Sequence, residues 1–358
     1  MKFFDEVFED KTKFGTKLKT DQYESAGRYA IIDQGQNEIA GYTNLEEGVF
    51  TDIPAIIFGD HTRIIKYVNT PFYIGADGVK ILKSKDESVN YKYLYYALKN
   101  INIPNTGYNR HFKWLKEAKI CVPSKEYQDS VVESLDKINE IIIAKKQQLS
   151  LLDELIKSRF VEMFGDPSIN SKGYPEKSLP EITEYWNGLT YKPEDVSDHG
   201  TIVLRSSNIQ NASLDFADTV RVSCKIGEKK FVKDNDILMC SRNGSARLVG
   251  KVALIKNIEE PMSFGAFMMI IRSEYYPYLM TYFQLPAFRA QIATAATTTI
   301  NQITGKMLDS VKLPVPDLND VRDFSYFVEQ VDKSKVEIKK SLDEVQILYN
   351  KLMQEYFG

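Results

Sequence analysis

The stretch most like a catalytic motif is Pro316-Asp317 followed by Glu337-Ile338-Lys339. It satisfies the loose P-D…E-x-K pattern of nucleases that hold Mg²⁺ between carboxylates on adjacent strands. Here Glu337 and Lys339 fall about twenty residues into a run of helical heptads, and a rise of ~1.5 Å per residue sets them roughly 30 Å from Asp317. One chain cannot close that gap around one ion. "GSARLVGKV" (Gly244–Val252) looks like a phosphate loop, but five residues rather than four separate its glycines, and Val252 stands where Ser or Thr would hold Mg²⁺. "NTPF" (Asn69–Phe72) resembles the N-P-P-[YF] strand end with which amino-methyltransferases hold a base. Thr70 replaces a proline, no glycine-rich cofactor loop precedes it, and a turn before a buried strand accounts for it. His61, His111 and His199 have neither metal-ligand spacing nor a nucleophile partner. The sequence therefore predicts no catalytic residue and no metal site in this chain.

What remains is polar and basic material in predicted loops. "FGDHTRIIK" (Phe58–Lys66) offers His61, Thr62, Arg63 and Lys66 in a turn after a predicted strand, and "NTGYNRHFKWLKEAK" (Asn105–Lys119) interleaves Asn109, Arg110, His111 and Lys113 with Tyr108, Phe112 and Trp114. Further on lie "RSSNIQN" (Arg205–Asn211), "SRNGSAR" (Ser241–Arg247) and "TTTINQITGK" (Thr297–Lys306). Arg bonds bidentately to guanine and Asn or Gln to adenine, while Lys, Ser and Thr bind phosphate. Solvated loops carry the same residue types, but these recur at comparable places in both halves of the chain, which favours DNA contact.

Those loops need a scaffold, and the sequence writes it twice. "FVEMFG" (Phe160–Gly165) is echoed by "MQEYFG" (Met353–Gly358), and at the same separation of 193 positions the correspondence runs back without a gap to Thr106/Thr299. Further upstream Pro71–Ile81 lies on Pro261–Ile271, and Phe3–Val7 lies loosely on Ser178–Ile182. Each unit ends in a predicted long helix. Ser124–Met163 lacks Gly and Pro, and Leu135, Ile138, Ile142, Lys145, Leu149, Leu152, Ile156, Arg159 and Met163 recur at alternating three- and four-residue steps. The second copy repeats this seam with Val328, Val331, Lys335, Ile338, Leu342, Val345, Tyr349, Leu352 and Tyr356. Lys145 and Arg159 correspond to apolar Ile338 and Leu352, and Lys335 to apolar Ile142, so the seams complement one another and select a register. At ~1.5 Å per residue each helix spans roughly 55–60 Å.

Val122-Pro123 and Val315-Pro316 end strands and leave Ser124 or Asp317 as helix N-cap, while "GDPSINSKGYPEKSLP" (Gly165–Pro180) reads as a linker. Short β-type runs at Tyr29–Asp33, Pro54–Phe58, Thr201–Arg205 and Asp236–Cys240, with helical stretches at Tyr91–Asn100 and Tyr275–Phe283, make each remaining segment a mixed α/β (α+β) globule. The predicted order is a globule over residues 1–122, a helix over 123–164, a linker over 165–177, a second globule over 178–315 and a second helix over 316–358.

With 43% hydrophobic and 27% charged residues, the 358-residue chain can build two or three cores. "MKFFDEVFEDKTKFG" has acidic residues where a signal peptide needs an apolar run, so none is expected there, and no stretch reaches the roughly 20 apolar residues of a membrane span. A cytoplasmic protein is expected. Cys121, Cys224 and Cys240 lie far apart, with no disulfide framework or C-x-x-C pair, and are expected to be buried packing residues. A net charge of −3 argues against a protein that coats nucleic acid through bulk charge.

The ordered combination resembles the specificity subunit of type I DNA restriction–modification enzymes, over essentially the whole chain. It is carried by "SAGRYAIIDQGQNEIAGYT", "IIFGDHTRIIKYVNTPFYIGADGVKIL", "LRSSNIQ", "DNDILMCSRNGSARLVGK" and each "VP" leading into a long helix. The resemblance implies two target-recognition domains separated by two helices that pair as an antiparallel coiled coil with approximate two-fold symmetry. Each domain would read one half of a split double-stranded DNA target, and the helices would set the spacer and dock two methylation subunits. Restriction/translocation subunits would complete the complex. S-adenosylmethionine, ATP and Mg would belong to those partner subunits, with no cofactor in this chain. The candidate DNA contacts on this pattern are His61, Arg63, Asn109, Arg110, Lys113, Ser207, Asn208, Arg242, Asn243, Arg247, Gln302 and Lys306. The alternatives are a fused restriction nuclease using Asp317, Glu337 and Lys339, or a coiled-coil adaptor that binds proteins.

Overall fold

The structure, a computed structural model, describes residues 1–107, 109–295 and 301–358. It divides into two compact units: Met1–Gln147 together with Lys339–Gly358, and Gln148–Ile338.

In the first unit, strands β1 (Phe8–Asp10), β2 (Tyr29–Ile32), β3 (Gly41–Thr43), β4 (Ala55–Gly59), β5 (Ile65–Val68), β6 (Phe72–Ile74) and β7 (Val79–Ser84) form two sheets. One is antiparallel, in the order β1-β7-β4-β5; in the other β2 lies between β3, antiparallel, and β6, parallel. The continuous apolar run Ala55–Phe58 explains the placement of β4, whose side chains are buried on both faces. Helix α1 (Tyr91–Lys99) starts where the Asn90 side chain accepts from the amides of Lys92 and Tyr93, and it buries Tyr93, Leu94 and Leu98. Lys2–Phe3 pairs with Lys119–Ile120 to bring the ends of this globule together.

The second unit repeats the plan. Strands β8 (Glu184–Asn187), β9 (Thr201–Leu204), β10 (Arg221–Val222), β11 (Ile237–Cys240), β12 (Val252–Leu254), β13 (Met262–Phe264) and β14 (Met268–Arg272) give an antiparallel sheet in the order β8-β14-β11-β12. In its companion sheet β9 lies between β10, antiparallel, and β13, parallel. Glu176–Ser178 pairs with Lys312–Pro314 as the closing ribbon. Even the single helical turns Phe4–Val7 and Leu179–Ile182 share a cap: the Phe3 amide donates to Glu6 Oε2 at 2.5 Å and the Ser178 amide to Glu181 Oε2 at 2.6 Å.

The long helices are α2 (Lys125–Phe164) and α4 (Leu318–Phe357), with α3 (Tyr276–Tyr282) occupying in the second globule the place of α1. Ser124 Oγ accepts from the Tyr127 amide at 3.4 Å, as its N-cap position requires. Every predicted seam residue is buried or half-buried. In the first unit Val131, Val132 and Leu135, early in α2, pack in one core with Tyr349, Leu352 and Met353, late in α4. In the second unit Phe160 and Phe164, late in α2, pack on Phe324, early in α4. Early turns thus meet late turns, and the helices pair antiparallel. The basic seam residue Lys335 finds Asp153 at 2.7 Å, and Arg159 finds Glu162 at 2.9 Å.

Two expectations need correction. Of the cysteines only Cys240 is buried; Cys121 is exposed and Cys224 half-buried. The predicted linker over residues 165–177 includes Glu176 and Lys177 of the closing ribbon, because both pair with residues of the Lys312–Pro314 strand.

Candidate nucleic-acid interface

In the second unit three stretches far apart in sequence meet at the end of β11. Ser241 and Arg242, the first residues past that buried strand, donate their amides to the Phe267 carbonyl at 2.9 and 3.1 Å. The Ile303 amide donates to the Ser241 carbonyl at 2.7 Å, which brings the 301–306 segment alongside. Arg242 Nη2 then donates to Gln302 Oε1 at 2.6 Å, with the guanidinium 5.8 Å from the Phe267 ring centre. Asn243 Nδ2 donates to Ser206 Oγ at 3.1 Å, tying in the 205–208 turn. Arg242, Phe267 and Gln302 are exposed, as are Ser207, Arg247 and Lys306. The surface is rich in donors, flanked by one aromatic ring, and suited to the acceptor edges of bases and to phosphate.

Asn208 does not belong to that surface. It is 1% exposed, its Nδ2 donates to the carbonyls of Asp215 and Asp218 at 2.9 and 2.8 Å, and its Oδ1 accepts from the Arg205 amide at 2.8 Å. It fixes the shape of the loop that presents Ser207.

The first unit assembles its turn after β4 in a similar way. The His61 amide donates to Gln34 Oε1 at 3.1 Å, Gln34 Nε2 donates to the Asp77 carbonyl at 3.0 Å, and the His61 ring Nδ1 lies 3.2 Å from the Asn109 carbonyl. Asn109 and Arg110 are exposed, as is Lys113, whose ammonium sits 4.2 Å over the Trp114 ring. Arg63 is half-buried with φ 63° and donates to the Ile103 carbonyl at 3.2 Å, so part of its guanidinium holds the loop together. Lys66, expected in the turn, lies instead on β5, 1% exposed, with its ammonium bonded to the Asn37 carbonyl and 3.5 Å from Asp33. The strand runs on past Ile65, which turns Lys66 inward. His111 is likewise internal, fully buried and bonded through Nδ1 to the Asp60 carbonyl at 2.9 Å.

Sequence reasoning missed Gln34, Lys17 and Asp77 in the first unit and Phe267 in the second. Lys17 Nζ lies 2.6 Å from Asp77 Oδ1, and that hydrogen bond, with the charges of Lys17 and Arg110, holds the Asp77 carboxyl below its usual range. The signal was the alignment of Pro71–Ile81 on Pro261–Ile271, which sets Asp77 against Phe267. Tyr108 and residues 297–300 of the predicted contact stretches lie outside the described residues.

Gly244–Val252 leads through a short turn into strand β12 rather than a helix, and Phe72 begins a buried strand. Asp317 precedes α4 while Glu337 lies within it. Among the described residues no group of three or more His, Cys, Asp or Glu is placed to hold a metal ion, and no helix is long and apolar enough to cross a membrane.

The family model for the type I restriction modification DNA specificity domain matches residues 1–153 and 171–346, one segment for each repeat. The chain belongs to this family. Among its relatives is the type I restriction enzyme EcoR124I/EcoR124II specificity subunit of Escherichia coli, 24% identical over 374 residues that span 98% of this chain and 90% of that one. Another is the type I restriction enzyme MjaVIII specificity subunit of Methanocaldococcus jannaschii, 22% identical over 307 residues, or 76% of this chain and 70% of that one. The crystal structure of a type I restriction–modification S subunit from M. genitalium shares the fold, with a TM-score of 0.58 and 17% identity over 100% of this chain and 95% of its own. So does a chain from a study of complex assembly and conformational transition in the type I R-M system, at TM-score 0.52 and 15% identity over 99% and 95%. A type I specificity subunit is a DNA-recognition component, not a catalytic one, and nothing supports a fused nuclease in this chain.

Proposed function

We propose that each globule is a target-recognition domain reading one half of a bipartite double-stranded DNA site, and that α2 and α4 fix the length of the unread spacer. The observation that carries this reading is one fold built twice with different side chains at equivalent loop ends: Arg242, Phe267 and Gln302 in one domain, His61, Asp77 and Asn109 in the other. A duplicated scaffold with divergent loops suits a target whose halves differ in sequence. On this reading the DNA contacts are His61, Asn109, Arg110, Lys113, Ser207, Arg242, Asn243, Arg247, Gln302 and Lys306, with Arg63 and Asn208 shaping the loops that carry them.

The helices also have apolar side chains outside the seam. Ile143 and Val336, equivalent under the repeat, are 47% and 62% exposed, and the equivalent Leu155 and Leu348 are 46% and 45% exposed. Paired apolar positions of this kind suit two copies of a methylation subunit. Those subunits bring S-adenosylmethionine, and restriction/translocation subunits bring ATP and Mg.

Co-expression with methylation subunits from neighbouring reading frames, followed by sequencing of modified adenines, tests the proposal. A split motif with a fixed gap is the expected result; modification at unsplit or random sites rejects it. Inserting one heptad into α2 and one into α4 should lengthen the gap and keep both half-sequences.

A further inference from the structure

The two domains present the same loop with different chemistry at its tip. After the parallel strands β6 and β13 come Gly75-Ala76-Asp77 and Gly265-Ala266-Phe267. Each loop is locked by its backbone. The Asp77 carbonyl accepts from Gln34 Nε2 at 3.0 Å and the Gly78 carbonyl from the Asp60 amide at 2.7 Å. The Phe267 carbonyl accepts from the Ser241 and Arg242 amides at 2.9 and 3.1 Å. At the base of the first loop Tyr23 Oη donates to the Gly75 carbonyl at 2.5 Å, and a Cβ on Gly75 would lie 2.2 Å from that hydroxyl, so a larger residue would displace this brace.

These rigid loops hold out side chains that the domains do not use for packing. The Asp77 side chain is 87% exposed and Phe267 is 59% exposed. Phe267 joins no core cluster, and among the described residues its ring partner is the Arg242 guanidinium, 5.8 Å away. An exposed phenyl ring on a fixed loop beside a base-reading arginine is placed to meet an apolar group of a ligand. In the DNA major groove that group is the thymine methyl, whereas Arg242 beside it matches the N7 and O6 acceptors of guanine. Asp77 is suited to neither. Its carboxylate accepts only, so it is repelled by phosphate and by guanine's acceptor edge. It is complementary to an exocyclic amino group, the N4 amine of cytosine or the N6 amine of adenine. Lys17 engages Oδ1 and leaves Oδ2 as the acceptor.

We infer that the tip of the Gly-Ala-x loop is a specificity-determining position that makes the two half-sites differ, with Phe267 packing on a thymine methyl in one half and Asp77 accepting from a base amino group in the other. The inference rests on the reading that each domain recognises one half-site, and the experiment separates the two. The full chain, co-expressed with its methylation subunits, is compared with Phe267→Ala, Phe267→Leu and Asp77→Asn by mapping modified adenines, with complex formation checked by gel filtration. A wild-type chain that gives no split motif overturns the reading and the inference with it. With a split wild-type motif, Phe267→Ala should lower the preference for thymine at one position of one half-site by about tenfold, the scale of a lost base contact. Phe267→Leu, which keeps an apolar surface, should retain most of it. Asp77→Asn adds a donor, so it should admit thymine or guanine at one position of the other half-site. Whether cytosine or adenine stood there in the wild-type motif identifies the amine. Unchanged motifs in Phe267→Ala and Asp77→Asn, or equal loss at both halves from either, overturn the inference while the reading stands.

Discussion

The ring of Phe357, at the end of α4, packs against that of Tyr93 on α1 with centroids 5.1 Å apart, and Phe164, at the end of α2, packs against Tyr278 on α3 at the same 5.1 Å. Each globule is therefore closed by the end of the helix that follows the other globule. This explains the repeated Phe-Gly: the phenylalanine docks, and after α2 the glycine ends the helix, Gly165 taking φ 77° with its amide on the Val161 carbonyl at 2.8 Å.

That exchange predicts how half the chain behaves. A fragment of residues 1–175 carries one globule with an uncovered Tyr93 and one complete helix with an uncovered Phe164. Two copies can cover each other as the intact chain covers itself. Light scattering should report a dimer, and Phe164→Ala in the fragment should shift it toward monomer. A well-folded monomer of the unsubstituted fragment would contradict the exchange.

Phe160 anchors the second junction. It is fully buried, with ring centroids 4.9 Å from Tyr278 and 5.8 Å from Phe324. Phe160→Ala should cost about 3–5 kcal/mol through lost burial and the cavity it leaves. Leu151, on the same helix but 61% exposed, should be replaceable by Ala within about 0.5 kcal/mol. Urea unfolding of the two variants checks the contrast, and equal costs would mean that the face of α2 carrying Phe160 is not the one buried in the core.

The helices were legible because period and length are local properties: residues from Leu135 to Met163 announce their face without reference to anything else. The antiparallel pairing came only through a resemblance, since no single residue encodes it. In the loops, residue type suggested Arg242 and Gln302, which meet at the surface, and equally Lys66 and Asn208, which are buried. A lysine on a strand and a lysine in a turn read alike in sequence; whether the strand continues past Ile65 depends on β4 beside it. Phe267 passed unnoticed because an exposed aromatic and a core aromatic have the same one-letter code, and only tertiary packing separates them.

Lys335 tests whether a charged seam residue sets the register. Its side chain is 16% exposed and lies 2.7 Å from Asp153, itself 58% exposed, and 3.4 Å from Asp332. Because Asp153 is well solvated and Asp332 remains, Asp153→Ala should cost only about 0.2–1 kcal/mol. Lys335→Glu places a third carboxylate beside the other two and should cost more than Asp153→Ala, with the difference shrinking in 1 M salt as screening removes the repulsion. Thermal unfolding at low and high salt measures both; a cost for Lys335→Glu that ignores salt would assign the effect to packing of the lysine stem.

Asn208 and Arg242 should separate loop architecture from base reading. Removing the Asn208 side chain leaves the Arg205 amide and the carbonyls of Asp215 and Asp218 without their partners. In a buried site this costs about 1–3 kcal/mol. Asn208→Ala should therefore lower the unfolding midpoint of the second domain, while the modified sites that survive keep their sequence. Arg242 is exposed and its guanidinium donates to Gln302, itself exposed, so Arg242→Ala should change stability by no more than about 0.5 kcal/mol. Its loss should appear in the target instead, as about 1–3 kcal/mol less discrimination at one base pair of one half-site. Unfolding curves and methylation maps on the same two variants make the comparison. If Arg242→Ala unfolds the domain, or if Asn208→Ala rewrites the motif with stability intact, the roles assigned to the two residues are reversed.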